Sequence, residues 1–242
     1  MKRDLIWLTA LATIAFAMLV ALGFWQLQRL AWKQGLIERI ETRVESEPIS
    51  LSKAIAQWKR SGDVDYLRVR LDGTFDHDKE RHYYTIVDGK AGWRVITPLV
   101  TTGKQVVMAD RGFVLNELKD AKSRAAGQIA GLASVVGLAR KGATQDPFAP
   151  DNSPEKNSWF WRDLEGMARS VLSPQEQKWL VPFFVELEAG PVPGGWPKGG
   201  VTRLELPNSH LQYALTWFGL AGGLLVVVAI YVIGRLRQRS IS

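Results

Sequence analysis

LQYALTWFGLAGGLLVVVAIYVIG, residues Leu211 to Gly234, holds 24 positions without one charge, and Arg235, Arg237 and Arg239 close it. At about 1.5 Å per residue the run exceeds a hydrocarbon core of about 30 Å, so it is long enough to cross a bilayer. A second uncharged run, LIWLTALATIAFAMLVALGFWQL from Leu5 to Leu27, stands near the other end. Its Leu, Ile, Val and Phe side chains each favour insertion by about 0.3 to 0.6 kcal/mol, with no Asp, Lys or Arg to oppose them. Lys2 and Arg3 lead it as in a signal peptide, but it is longer than a signal core, and FWQLQR follows where small cleavage-site residues belong. Its start four residues from Met1 favours a bacterial inner membrane over organelle import, as an expectation.

Two spans put both ends on one side. Basic residues near the span ends almost balance: Lys2, Arg3 and the three terminal arginines face Arg29, Lys33, Arg39, Arg43, Lys198 and Arg203. The intervening stretch of about 180 residues far exceeds the roughly 60-residue loops that obey the positive-inside rule, so the short tails decide. The expected organisation is a cytoplasmic tail at 1–4, a transmembrane helix at 5–28 and a periplasmic, mainly β domain at 29–208. A second transmembrane helix at 209–234 and a basic cytoplasmic tail at 235–242 complete it.

The 242 residues carry a net charge of +7 and 46% hydrophobic residues, so the average resembles a soluble protein while the apolar residues sit at two poles. Cysteine is absent, which excludes disulfides, thiolate metal sites and cysteine nucleophiles. Histidine occurs only as His77, His82 and His210. A Ser-His-Asp arrangement would need His77 or His82 in the turn-rich FDHDKERH, and no GxSxG elbow presents a serine. The same stretch reads as a solvated hairpin turn, since two histidines five apart among carboxylates match no zinc or copper pattern. No phosphate-cradling glycine loop exists, and the spread of basic residues gives nucleic-acid binding little support.

After the first span, QLQRLAWKQGLIERIETRVE keeps Leu27, Leu30, Ile37 and Val44 at near-helical spacing, which extends the helix until Pro48. Ser50 caps a short amphipathic helix over Leu51 to Trp58. Runs rich in β-branched and aromatic residues predict strands at Tyr66 to Phe75, Arg81 to Val87, Trp93 to Val100, Gln105 to Val114, Gln128 to Leu138, Trp179 to Leu187 and Val201 to Leu206. Asp72-Gly73, Asp88-Gly89 and Thr102-Gly103 mark turns, and the short connections imply antiparallel pairing. SWFWRDLEGMARSVL passes from a strand end into a short helix, while Gly142 to Asn157 and Gly190 to Gly200 read as loops. The fold class is therefore an α+β membrane protein: two transmembrane helices flanking a mainly antiparallel β domain, barrel-like or a curved sheet, with a few short helices.

PNSHLQYALTWFGLAGG, Pro207 to Gly223, carries the chemistry. Asn208 or Ser209 can cap the helix, which puts His210 in its first turn at the outer edge of the hydrocarbon. His210, Tyr213, Ala214 and Trp217 follow i, i+3, i+4, i+7, so an imidazole able to bind iron stands at one end of an aromatic face. A histidine that simply meets water or a lipid headgroup is the plainer reading. Gly219 and Gly223 form a small-xxx-small pair that would admit the first span closely. That span ends at the same depth with Trp25, Gln26 and Arg29, then Trp32 and Lys33. Together they would offer a ligand, aromatic walls and cations, as a porphyrin with apolar faces and anionic propionates requires.

LGFWQLQRLAWKQGLI, GWRVITPLV, VVMADRGFV, NSWFWRDLEGMA and LPNSHLQYALTWFGLA resemble the surfeit locus protein family, the Surf or Shy assembly factors of cytochrome c oxidase. The resemblance covers almost the whole chain, and the last of these stretches is the most specific. It implies two spans around a large outer domain and a non-enzymatic role in handling haem a while oxidase subunit I is assembled. By the same resemblance His210 is the axial ligand of the haem iron, with Tyr213, Trp217, Trp25, Gln26 and Arg29 around the macrocycle. Membrane lipid, oxidase subunit I, haem a synthase and other oxidase assembly factors are the partners this implies. A chaperone of subunit I without any cofactor is the alternative from another class, and a metal carrier using His77 and His82 a weaker one.

Overall fold

The computed structural model describes residues 2–202 and 206–240. The chain divides into two compact units, Met1–Arg39 with Leu204–Ser242, and Ile40–Arg203.

The first unit is a helix pair. Helix α1 (Lys2–Glu45) is unbroken for 44 residues, as expected of a stretch with no proline before Pro48. Helix α5 (His210–Ser240) pairs with it antiparallel, since His210 meets Gln26 while the later Phe218 meets the earlier Gly23. Large apolar side chains face outward on both helices: Ile6, Leu11, Ile14 and Met18 on α1, Val227 and Ile230 on α5. Water would not tolerate so wide an apolar surface, whereas hydrocarbon does. Both helices are long and apolar enough to cross a membrane.

The small residues that let the helices approach differ from those expected. Gly219 and Gly223 are exposed, and a Cβ on either would meet nothing within 4 Å. The close approach is at Gly23, where a Cβ would come within 2.6 Å of the Phe218 ring, and at the buried Ala214 and Ala221. Gly219 and Gly223 fall off the stripe that Ala214, Trp217, Phe218 and Ala221 define on α5.

The second unit holds a closed β structure. Its strands are β1 (Ile49–Ser50), β2 (Arg68–Phe75), β3 (Arg81–Val87), β4 (Lys90–Thr101), β5 (Val106–Leu115), β6 (Leu132–Arg140) and β7 (Phe184–Leu187). The order is β1-β2-β6-β7-β5-β4-β3, and a further β2–β4 pairing closes β2, β6, β7, β5 and β4 into a ring. Among the named strands of the described residues, β1–β2 and β5–β7 pair parallel and the rest antiparallel. The expected barrel-like, mainly antiparallel domain is thus observed.

Some strands differ in extent. The sixth strand begins at Leu132, since Gln128 to Gly131 is occupied by a 3-10 turn end and a left-handed glycine. The run from Trp179 is extended only at Phe184–Leu187, because Pro174–Gln177 forms helix α4 just before it and the intervening residues make one isolated bridge. Val201 and Thr202 are not in a strand, and residues 203–205 of that expected strand lie outside the described residues.

Helix α2 (Leu51–Ser61) starts as expected at Ser50, whose Oγ accepts from the Lys53 N–H, a cap worth about 1 kcal/mol. It covers the main core, where Val69, Leu71, Leu99, Val107, Phe183 and Val185 pack together. Helix α3 (Leu164–Arg169) closes a second cluster around Ile96, Met108, Trp159 and Phe184. Between the pairs Arg94–Phe113 and Ile96–Asp110, β5 carries one residue more than β4, a bulge at Arg111 and Gly112. Gly112 has φ +113°, and a Cβ there would lie 1.9 Å from the Lys198 carbonyl oxygen, so no other residue fits.

Candidate functional site

His210 owes its position to the start of α5. The Ser209 carbonyl accepts the Tyr213 N–H at 3.2 Å, which makes Ser209 the half-in residue and His210 the first full helical one. On α1, Gln26 lies on the covered stripe and is 8% exposed. Its Oε1 stands 2.8 Å from His210 Nδ1. A carboxamide oxygen can only accept, so Nδ1 carries the proton and donates, which in the neutral ring leaves the lone pair on Nε2. A histidine whose second nitrogen is pinned in this way has the tautomer and ring orientation of a metal ligand.

The other expected residues lie on the same two helices. Trp217 is two turns along the His210 face and half-buried. Tyr213 is exposed, off the contact stripe, and Trp25 is exposed beside Gln26. Arg29 is exposed one turn beyond, and its guanidinium lies 4.8 Å from the Trp32 ring centroid as a cation–π pair. The fold therefore joins His210 to Gln26 and leaves the Trp25 and Tyr213 side chains exposed on the same two helices. A flat apolar molecule with a metal centre and anionic edges fits this donor set: one imidazole lone pair, open aromatic surface and one cation.

His77 and His82 are not in a solvated turn. His82 is buried on β3, and Asn157 Nδ2 donates to its Nδ1 at 3.0 Å. His77 Nε2 donates to the Ile129 carbonyl, and its Nδ1 lies 3.2 Å from Arg111 Nη1 and 3.7 Å from Glu80 Oε1. Between them Glu80, also buried, takes Arg124 at 2.5 Å and Arg111 at 3.1 Å. Burial alone would raise the Glu80 carboxyl, but His77, Arg124 and Arg111 hold it down to about 2. Burial, with the charges of Arg124, Lys119 and Arg81, pushes His82 down to about 4 against the pull of Glu80. Among the described residues these histidines are engaged in an ionic network.

A second network lies across β5. Residues 110 and 111 point to opposite faces of the strand, so Asp110 faces Arg94 and Glu186 while Arg111 faces Glu80 and the Phe75 ring. Arg94 Nε and Asp110 Oδ2 lie 2.5 Å apart but are not aligned for a hydrogen bond. Glu186 is held by Arg94, Arg162 and Arg140, and Thr202 donates to it. Both networks escaped the sequence reading. Their signal was there: Arg94 inside GWRVITPLV and Asp110-Arg111 inside VVMADRGFV are charges in the middle of apolar strands.

An antiparallel pair of apolar helices with a histidine pinned at its edge, together with a small closed β domain, defines a membrane-anchored barrel protein. The SURF1 family model matches residues 13–222, a stretch that takes in both Gln26 and His210. Surfeit locus protein 1 of Homo sapiens is 38% identical over 218 residues, which is 83% of this chain and 69% of that protein. A SURF1-like protein of Monosiga brevicollis is 36% identical over 216 residues, covering 83% and 78%. Surfeit locus protein 1 of Takifugu rubripes is 35% identical over 217 residues, covering 82% and 86%. The chain belongs to the SURF1 family.

Proposed function

We propose that this chain is a membrane-anchored, non-enzymatic assembly factor of haem a-containing cytochrome c oxidase, which holds haem a at the edge of its helix pair while subunit I is built. One observation carries the haem reading: the hydrogen bond from His210 Nδ1 to Gln26 Oε1, which turns an ordinary interfacial histidine into a preset ligand. Family membership supports the assembly role, as the resemblance described above implies it. In this reading His210 Nε2 meets the iron and the Trp25, Tyr213 and Trp217 rings meet the macrocycle. Arg29 leaves Trp32 to pair with a propionate, for which a guanidinium is suited. Haem a when bound is cargo for the oxidase. The membrane is a bacterial inner membrane, with both termini cytoplasmic and the β domain periplasmic, following the tails' charge.

The test is the visible spectrum and titrated haem a affinity of the detergent-solubilised chain. His210→Ala, which keeps helix propensity, is expected to insert normally, lose the spectral signature of axial ligation and bind haem a far more weakly. His77→Ala and His82→Ala are expected to leave that spectrum unchanged, although His82→Ala lowers the stability of the β domain. An unchanged spectrum in His210→Ala overturns the ligand assignment. A colourless wild-type protein that still co-purifies with subunit I would instead make the chain a cofactor-free chaperone.

A further inference from the structure

The wall of the barrel has a gap where β7 ends. Strand β7 pairs with β6 from Gly137 to Arg140, and beyond it the Glu188 N–H still reaches the Val136 carbonyl at 3.0 Å. Gly190 and Pro191 then carry the chain away, so on that side the earlier part of β6, Leu132 to Val135, faces no strand among the described residues. A cavity of about 400 Å³ opens there, within the range of small-ligand sites. Phe75, Ala133, Val135 and Leu187, which line it, also belong to or pack on the main core, so its floor is the apolar interior of the barrel. Ile129 and Val192 flank it.

One wall is charged. Arg111 lines the cavity from the bulge of β5, with its guanidinium carbon 5.2 Å from the Phe75 ring centroid. Arg111 and Arg124 share the single carboxylate of Glu80, at 3.1 Å and 2.5 Å, so this buried group carries positive charge in excess. Burial lowers Arg111 from its ordinary value, and the charge of Arg124 adds to that against the pull of Glu80. Glu188, the carboxylate in the same wall, is taken by Arg68 at 2.7 Å and 2.9 Å and does not offset the excess. Buried charge without a counter-charge is costly, and an anion with an apolar body would supply one while covering the floor. We propose that this cavity binds an apolar monoanion of the medium-chain carboxylate class, its hydrocarbon on Phe75, Val135 and Leu187 and its charge toward Arg111. The attraction is coulombic across the wall, since the Arg111 Nη atoms are already engaged with Glu80 and the Gly127 carbonyl. The inference concerns the β domain and does not depend on haem binding.

The experiment titrates the full chain, methyl-labelled at Ile, Leu and Val and held in phosphatidylcholine nanodiscs, with octanoate, and separately with octanol and acetate; empty discs correct for partition into lipid. Octanoate is expected to move the Ile129, Val135, Leu187 and Val192 methyl signals to saturation, with octanol about tenfold weaker and acetate without effect. Arg111→Gln leaves Glu80 to Arg124 and removes the excess charge, so octanoate should fall about tenfold to the level of octanol, whose own affinity stays. Arg111→Lys should recover most of the octanoate affinity, and Ala133→Phe, which fills the cavity from β6, should abolish both. Octanol binding as tightly as octanoate overturns the proposal in favour of a plain apolar cavity, and acetate moving the same signals overturns it in favour of a simple anion site. An equal loss of octanoate and octanol in Arg111→Gln would make Arg111 structural, and undiminished binding in Ala133→Phe would put the site elsewhere; either result overturns the proposal. If none of the probes moves the four signals, the proposal falls.

Discussion

At the scale of single residues the decisive atom is Gln26 Oε1. His210 alone is a half-exposed imidazole at a helix start, free to turn about its χ angles; with Gln26 it has one tautomer and one orientation. Partners of this second kind change metal affinity by about 10- to 100-fold when removed. Gln26→Leu keeps the volume and the burial but removes the acceptor, so haem a titration should show a loss of that order with unchanged insertion. Gln26→Glu restores an acceptor and should recover most of the affinity. Equal affinities for wild type and Gln26→Leu would mean the hydrogen bond does not set the ligand. The histidine was legible in the sequence because its type and its place at a span boundary are both unusual. Its partnership was not, since spacing put Gln26 at the right depth but left the rotation of the two helices open.

Rotation also decides the elements. GLAGG on α5 and LGF on α1 offer glycines of equal merit by spacing, and the expectation chose Gly219 and Gly223. Packing chose Gly23, because the Phe218 ring lies on it, edge-on to Phe24 with centroids 5.5 Å apart. Gly23→Leu should therefore force the ring or the helix away and lower the thermal midpoint in detergent, with a cost of about 1–3 kcal/mol. Adding Phe218→Ala makes room, so the double variant should cost less than the sum of its parts. Gly219→Leu should be near neutral. A larger effect at Gly219 than at Gly23 would restore the original reading. The strands were easier to read than the helix pairing, because their alternation and turns are local. Closure of the ring was not, since it rests on β2 pairing with β4 across its Gly73 to Phe75 end while Arg68 to Thr74 pair with β6 on the other side.

For the whole molecule, the buried charges set how the β domain meets acid. His82, held at about 4, contributes stability that is complete above its ordinary 6.5 and lost as pH falls toward 4. Glu80, held at about 2, contributes stability complete above 4.5 and lost as pH falls toward 2. Burial would raise Glu186 too, but Arg94, Arg140 and Arg162 hold it below the carboxylate range, so it adds to the same loss. Asp110 works the other way. Burial, with Glu186 beside it, pushes its carboxyl up to about 6 against Arg94, so the folded chain takes that proton first and gains stability as pH falls from 6 toward 3.8. Between about 6.5 and 4 the His82 loss and the Asp110 gain oppose each other, and below that range only losses remain. The near-UV signal of the detergent-solubilised chain should thus show an unfolding midpoint almost level from pH 6.5 to about 4.5, then a steep fall. Asp110→Asn removes the opposing gain, so its decline should begin near pH 6.5. Glu80→Gln leaves Arg111 and Arg124 facing no charge, which costs about 3–5 kcal/mol at neutral pH and flattens part of the acid limb. A wild-type midpoint that falls steadily from pH 6.5, matching Asp110→Asn, would mean that Asp110 is ionised throughout and that its ion pair with Arg94 outweighs burial.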